Sequence, residues 1–193
     1  MKHATSRMLF AYWDQMRGER AAPERADIVP GAIRHILADT FILGVEREAE
    51  AVFRLAGTRC CALFGRDLKD APLGSLWPVS RQPEIQRHVD IVVSETAGLV
   101  AGLVGTAENG WTVDLELLLL PLRHRGNPGA RALGALSPVR QPSWIGLIPI
   151  VALETRSLRV VNSARDRRST LPPPRETPAL RRERFIVHDG GRR

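Results

Sequence analysis

Residues 52–77 read VFRLAGTRCCALFGRDLKDAPLGSLW, and the change of character inside this stretch decides the fold. Val52, Phe53 and Leu55 are residue types that suit a strand. Arg54 lies between Phe53 and Leu55, which assigns it to the strand face opposite them. From Arg59 to Ser80 the pattern turns helical, but only for a turn or two at a time, because Gly65, Pro72, Gly74 and Pro78 interrupt it. A short strand therefore runs into an irregular helical connection.

Upstream, TFILGVE (40–46) and AVFRLAG (51–57) are apolar runs separated by the charged REAE, which reads as a hairpin. Before it, Asp27 caps a turn and Pro30 opens a short helix carrying Ile33, Ile36 and Leu37. Still earlier, Met8, Leu9, Tyr12, Trp13 and Met16 recur at helical spacing between Ser6 and Arg20, an amphipathic helix ended near Gly18. Downstream, Arg81–Thr96 offers a longer helix with Ile85, His88, Val89 and Val92 on one stripe. GLVAGLVGTA (98–107), WTVDLELLLLPLR (111–123) and ARALGALSPV (130–139) then read as three strands, separated by turns at 108–110 and 126–129.

The 193 residues suit one domain with extensions, and 44% hydrophobic with 25% charged residues is globular composition. The boundaries predicted are a helical extension over 1–38, the domain proper over 39–139, an arm or edge strand over 140–162 and a disordered Arg/Pro-rich tail over 163–193. The net charge of +7 resides in residues 155–193, which carry 11 basic and 4 acidic side chains, whereas residues 1–154 carry 17 of each and are balanced. The tail suits non-specific polyanion contact, but Phe185 is its only aromatic residue, which argues against sequence-specific nucleic-acid readout. The sequence has neither a long apolar span nor a signal-peptide pattern, so the expectation is a cytoplasmic protein without membrane association. Cys60 and Cys61 are adjacent and supply no disulfide framework.

Two strands, broken helices, a long helix and three strands describe an α+β fold of the PAS type. The sequence also resembles the divergent PAS-like proteins of alphaproteobacteria in DIVPGAIRHILADTFIL (27–43), in the quoted 52–77 stretch, and in LELLLLPLRHRG (115–126) followed by RALGAL (131–136). That resemblance implies a five-stranded antiparallel sheet, short helices on one face and a hollow beneath them. It also implies a sensory or regulatory module in signal transduction, without catalysis of its own, that binds a small molecule or a signalling protein. Phe41, Phe53, Arg54, Thr58, Cys61, Phe64, Trp77, Ile85, His88 and Val89 are the candidate ligand-binding residues, Arg54 as an ion-pair partner of Asp67 or Asp70 or as an anchor for an anion. A guanine-containing messenger such as cyclic di-GMP is a narrower variant, and a structural adaptor acting through the first helix and the basic tail is the alternative. Leu9, Tyr12, Trp13 and Met16 either cover their own sheet or form a homodimer surface. His88 lacks companions at metal-ligand spacing, which disfavours haem or a metal. Asp114, Glu116, His124 and Ser137 form no catalytic order, and Asp114 with Glu116 reads as a solvated strand face.

Overall fold

The computed structural model describes residues 1–45 and 50–161; residues 46–49, between the first two apolar runs, and 162–193, which include the Arg/Pro-rich tail, lie outside the described residues. Six strands form one antiparallel sheet: β1 (Thr40–Gly44), β2 (Val52–Ala56), β3 (Gly98–Ala107), β4 (Thr112–His124), β5 (Asn127–Pro138) and β6 (Ile150–Val161). Their order across the sheet is β2-β1-β5-β4-β3-β6. The α+β architecture is the one expected, with one strand more than the resemblance implies. Residues 150–161 pair with β3 along their length instead of trailing as an arm.

One face carries α2 (Thr58–Leu63), α3 (Gln82–Ser94) and the 3-10 turns Leu73–Leu76 and Val79–Arg81. Alternation along the strands sends Phe41, Leu43, Leu99, Leu103, Leu115, Leu117 and Leu119 to this side, where they form one buried cluster with Leu63, Trp77, Ile85 and Val89. The other face is covered by α1 (Ala4–Arg17) and by the 3-10 turns Arg25–Asp27, Pro30–Ile33 and Leu37–Asp39. There Leu9, Phe10, Trp13, Ile33 and Ile36 pack on Ile42, Val100, Leu118, Leu120, Leu122 and Leu133. Burial on both faces is why β4 carries the unbroken run Leu117–Leu120 instead of a polar alternation.

The first helix spends its apolar stripe inside the chain. Leu9 and Trp13 are buried, and the Trp13 indole donates to the Pro121 carbonyl at 2.8 Å. Tyr12 accepts from the Val29 amide at 2.8 Å, and Met16 packs at the edge of the same cluster. Leu9, Tyr12, Trp13 and Met16 thus pack against the chain's own sheet, while Met8 is exposed.

Glu116 corrects the expectation of a solvated face on β4. It is only 4% exposed, and its carboxylate accepts from the Lys2 amide at 2.6 Å and the His3 amide at 3.0 Å. Burial pushes its pKa up, but the amide donors outweigh this and hold it below its ordinary value. Glu116 thereby ties the start of α1 to the middle of the sheet.

Candidate functional site

The pairing of β1 with β2 sets the local geometry. Phe41 lies opposite Ala56 and Ile42 opposite Leu55, but Leu43 lies opposite Phe53, so Arg54 is the extra residue of a β-bulge. The bulge breaks simple alternation: Phe53 is 1% exposed and joins the helix-side core, whereas Leu55 is 54% exposed. Phe53 and Leu55 thus do not share a face, contrary to the two-residue period. Arg54 is half-exposed, with its Nη1 3.7 Å from Asp70 Oδ1; Asp67 instead accepts from the Lys69 amide at 2.9 Å.

The interior expected to be hollow beneath the broken helices is packed, and the open space on that side is a groove of about 410 Å³ between Trp77, Ser80, Arg81, Glu84 and Ile85 and residues 152–155 of β6. The void bounded by Trp77, Ile85, His88, Leu117, Leu119 and Leu158 measures about 10 Å³, the space of about one water molecule. Phe53, Phe64, Trp77, Ile85 and Val89 are all part of the packed core, and Phe41 meets Phe53 edge to face at 5.2 Å. The Trp77 indole donates to Thr155 Oγ1 of β6 at 3.2 Å. His88 and Cys61 are half-buried beside this core. Cys60 is buried, and that burial pushes its thiol up to about 12. Among the described residues no group of three or more His, Cys, Asp or Glu side chains is placed to hold a metal ion.

Thr58 is exposed and is the first residue of α2, not its cap; Gly57 occupies the cap position with an ordinary φ of −68°. The glycine is required for a different reason than backbone freedom. A Cβ at position 57 would overlap the carbonyl oxygens of Leu37 and Ala38. This close approach brings the 3-10 turn Leu37–Asp39 against α2, where Asp39 accepts from Arg59 through both carboxylate oxygens, Nε to Oδ1 at 2.7 Å.

Immediately beside that contact, on the side of the sheet covered by the N-terminal turns, lies a cleft of about 470 Å³. Its walls come from Arg25, Ile28, Ile33 and Arg34 of the turns, from Phe41 and Ile42 of β1, from Leu55 of the bulged strand, from Thr58 and from Leu133 of β5. The volume falls within the range of small-molecule sites, about 300–1,000 Å³. Of the ten predicted ligand residues, this cleft gathers Phe41 and Thr58 and the groove toward β6 takes in Trp77 and Ile85; the others lie in or near the helix-side core or, for Arg54, on the bulge. Arg25, Ile28, Arg34 and Leu55 were absent from the sequence-based set. No periodicity marks them, because three successive 3-10 turns and a bulge are what bring them together.

A family model described as a PAS domain matches residues 1–137. No curated protein matches the chain. Among solved structures, a light-oxygen-voltage domain studied with a flavin analogue is 16% identical, with 57% of this chain and 84% of that chain covered at a TM-score of 0.44. The PAS domain of a protein from Colwellia psychrerythraea is 14% identical, with 57% and 97% covered at 0.42. A LOV protein from Rhodobacter sphaeroides is 13% identical, with 60% and 71% covered at 0.44.

Proposed function

The chain belongs to the PAS domain family, and from that premise we propose that it is a non-catalytic sensory module of signal transduction whose small-molecule site is the cleft at β1 and β2. The observation that carries this reading is the lining: the cleft of about 470 Å³ is walled by Ile28, Ile33, Ile42, Leu55 and Leu133 without an acidic residue, whereas the groove of about 410 Å³ on the helix side is lined by Arg81, Glu84 and Glu154. A ligand in the cleft touches the turns between Arg25 and Ala38, which join α1 to the sheet. Occupancy would thus be felt by the segment that holds α1 in place.

Native mass spectrometry of the intact chain tests this reading. The expected spectrum contains a non-covalent adduct of small-molecule mass that is lost in Leu55→Ser, a change at a half-exposed wall residue. Hydrogen exchange in α1 should slow when the adduct is retained. Bare protein in every preparation, with exchange in α1 identical throughout, would remove the sensor reading. The adaptor alternative is weaker because Leu9 and Trp13 are enclosed against the chain's own sheet.

A further inference from the structure

Resting on the reading of the cleft as a ligand site, we infer that it takes an amphipathic anion: one carboxylate head on an apolar body, the chemistry of a free medium-chain fatty acid. The floor is aliphatic, built from Ile28, Ile33, Ile42, Leu55 and Leu133. Arg25 and Arg34 belong to the same lining, and no Asp or Glu does.

Those two cations differ from their neighbours. On the N-terminal side of the sheet, Arg17 pairs with Asp14, Arg20 with Asp27, Arg59 with Asp39 and Arg123 with Glu24. Among the described residues, neither Arg25 nor Arg34 has an ion pair or a side-chain hydrogen bond. Two unneutralised guanidinium groups above an aliphatic floor complement a carboxylate, which each can grip through two parallel N–H donors. An apolar tail then buries surface that water now covers.

The remaining polar groups exclude a larger polar ligand. Of the two hydroxyls in the lining, Thr40 already donates to the Leu37 carbonyl at 2.9 Å, which leaves Thr58. A nucleotide base would bury its hydrogen-bonding edge against isoleucine and leucine, and unpaired buried polar groups are costly. The cleft is also recessed between the turns and the sheet, which suits a free molecule better than a lipid held in a bilayer.

Equilibrium dialysis of the full chain against decanoate, kept below its micelle concentration at about pH 8 where the carboxylate is ionised, tests the inference. Decanoate should bind at one site, decanol about 10-fold more weakly for want of the charge, and acetate not at all. Arg25→Gln with Arg34→Gln should bring decanoate down to the level of decanol, and Leu55→Ser should weaken both ligands, with thermal melts showing each variant folded. Equal binding of decanoate and decanol, indifference to the arginine pair, or attachment only to anionic phosphatidylglycerol vesicles would each overturn it. If decanoate fails while a co-purifying small molecule persists in native spectra, the anion class falls and the sensor reading stands. If both are absent, both fall.

Discussion

Replacing Trp77 by alanine tests the filled interior. Trp77 is 3% exposed, follows the 3-10 turn Leu73–Leu76, and bridges to β6 through its hydrogen bond to Thr155. Truncating a buried tryptophan costs about 3–5 kcal/mol, the lost transfer energy plus that of a cavity that relaxes only in part. Relaxation is poor here, because the opposite wall is made of strand residues Leu99, Leu117 and Leu119, each held by pairing on both sides. Losing the partner of the Thr155 hydroxyl adds about 1 kcal/mol. Against a total stability of about 5–15 kcal/mol, that is a large share. With a slope of about 2 kcal/mol per molar urea, the midpoint should fall by about 2 M, read by far-ultraviolet circular dichroism. Trp77→Phe keeps most of the volume and should lose only about 1–2 kcal/mol. Free indole should raise the midpoint of Trp77→Ala and leave the parent unchanged, since the truncated chain alone offers it a space. A loss below about 1 kcal/mol for Trp77→Ala, or stabilisation of the parent by indole, would show that the interior holds a vacancy the side chains do not fill.

Gly134 lies beneath Phe41, and a Cβ there would enter the phenyl ring; Gly134→Ala should cost about 1–3 kcal/mol in chemical denaturation, and a neutral result would mean the ring is free to move. Glu116 has its pKa lowered in the fold, so its contribution is present above its ordinary value of 4.5 and lost as pH falls through the folded value. Amide exchange in the first turn of α1, corrected for intrinsic rates, should accelerate below about pH 4.5 in the parent, whereas Glu116→Gln should show fast exchange already at neutral pH. An unchanged profile would detach Glu116 from the anchoring of the helix. Arg54→Ala removes a half-exposed contact at 3.7 Å and should cost less than about 1 kcal/mol in thermal melts while leaving decanoate binding intact; a larger loss would make Arg54 a core element.

The parts of the fold that follow from periodicity were legible in the sequence. The strand read over 98–107 is β3 to the residue, and the helix read over 81–96 is α3 with frayed ends. Strand β6 was harder, because Glu154, Arg156, Ser157 and Arg159 interrupt its apolar residues. Charges of this kind guard an edge strand against further pairing and at the same time hide it from hydrophobic pattern. The bulge at Arg54 left no mark at all. One extra residue changes no composition, yet it reverses the face of every residue on one side of it, which is why Leu55 was assigned with Phe53. Glu116 was misplaced for the opposite reason: its alternation with leucines is real, but the layer that roofs it comes from more than a hundred residues away, at Lys2 and His3.

These features are linked. A sheet covered on both faces can admit a ligand only between its layers or where one layer stops. Between the layers, Trp77, Phe53 and their neighbours fill the helix side, and the groove left toward β6 is lined by Arg81, Glu84 and Glu154. On the other side, α1 lies over Val100, Leu118, Leu120 and Leu122, and the turns continue the cover over Ile42 and Leu133. At β2 that cover ends, because Gly57 draws the turn Leu37–Asp39 down onto α2 while the bulge turns Leu55 outward. The cleft is what remains between a roof pulled to one side and a wall rotated into place. Without the extra residue, strict alternation would place Leu55 on the same side as Phe53, and the cleft would lose one of its aliphatic walls. A site formed this way depends on β2 register and on the path of residues 25–39 together, so a ligand gripping both would couple the sheet edge to the N-terminal helix.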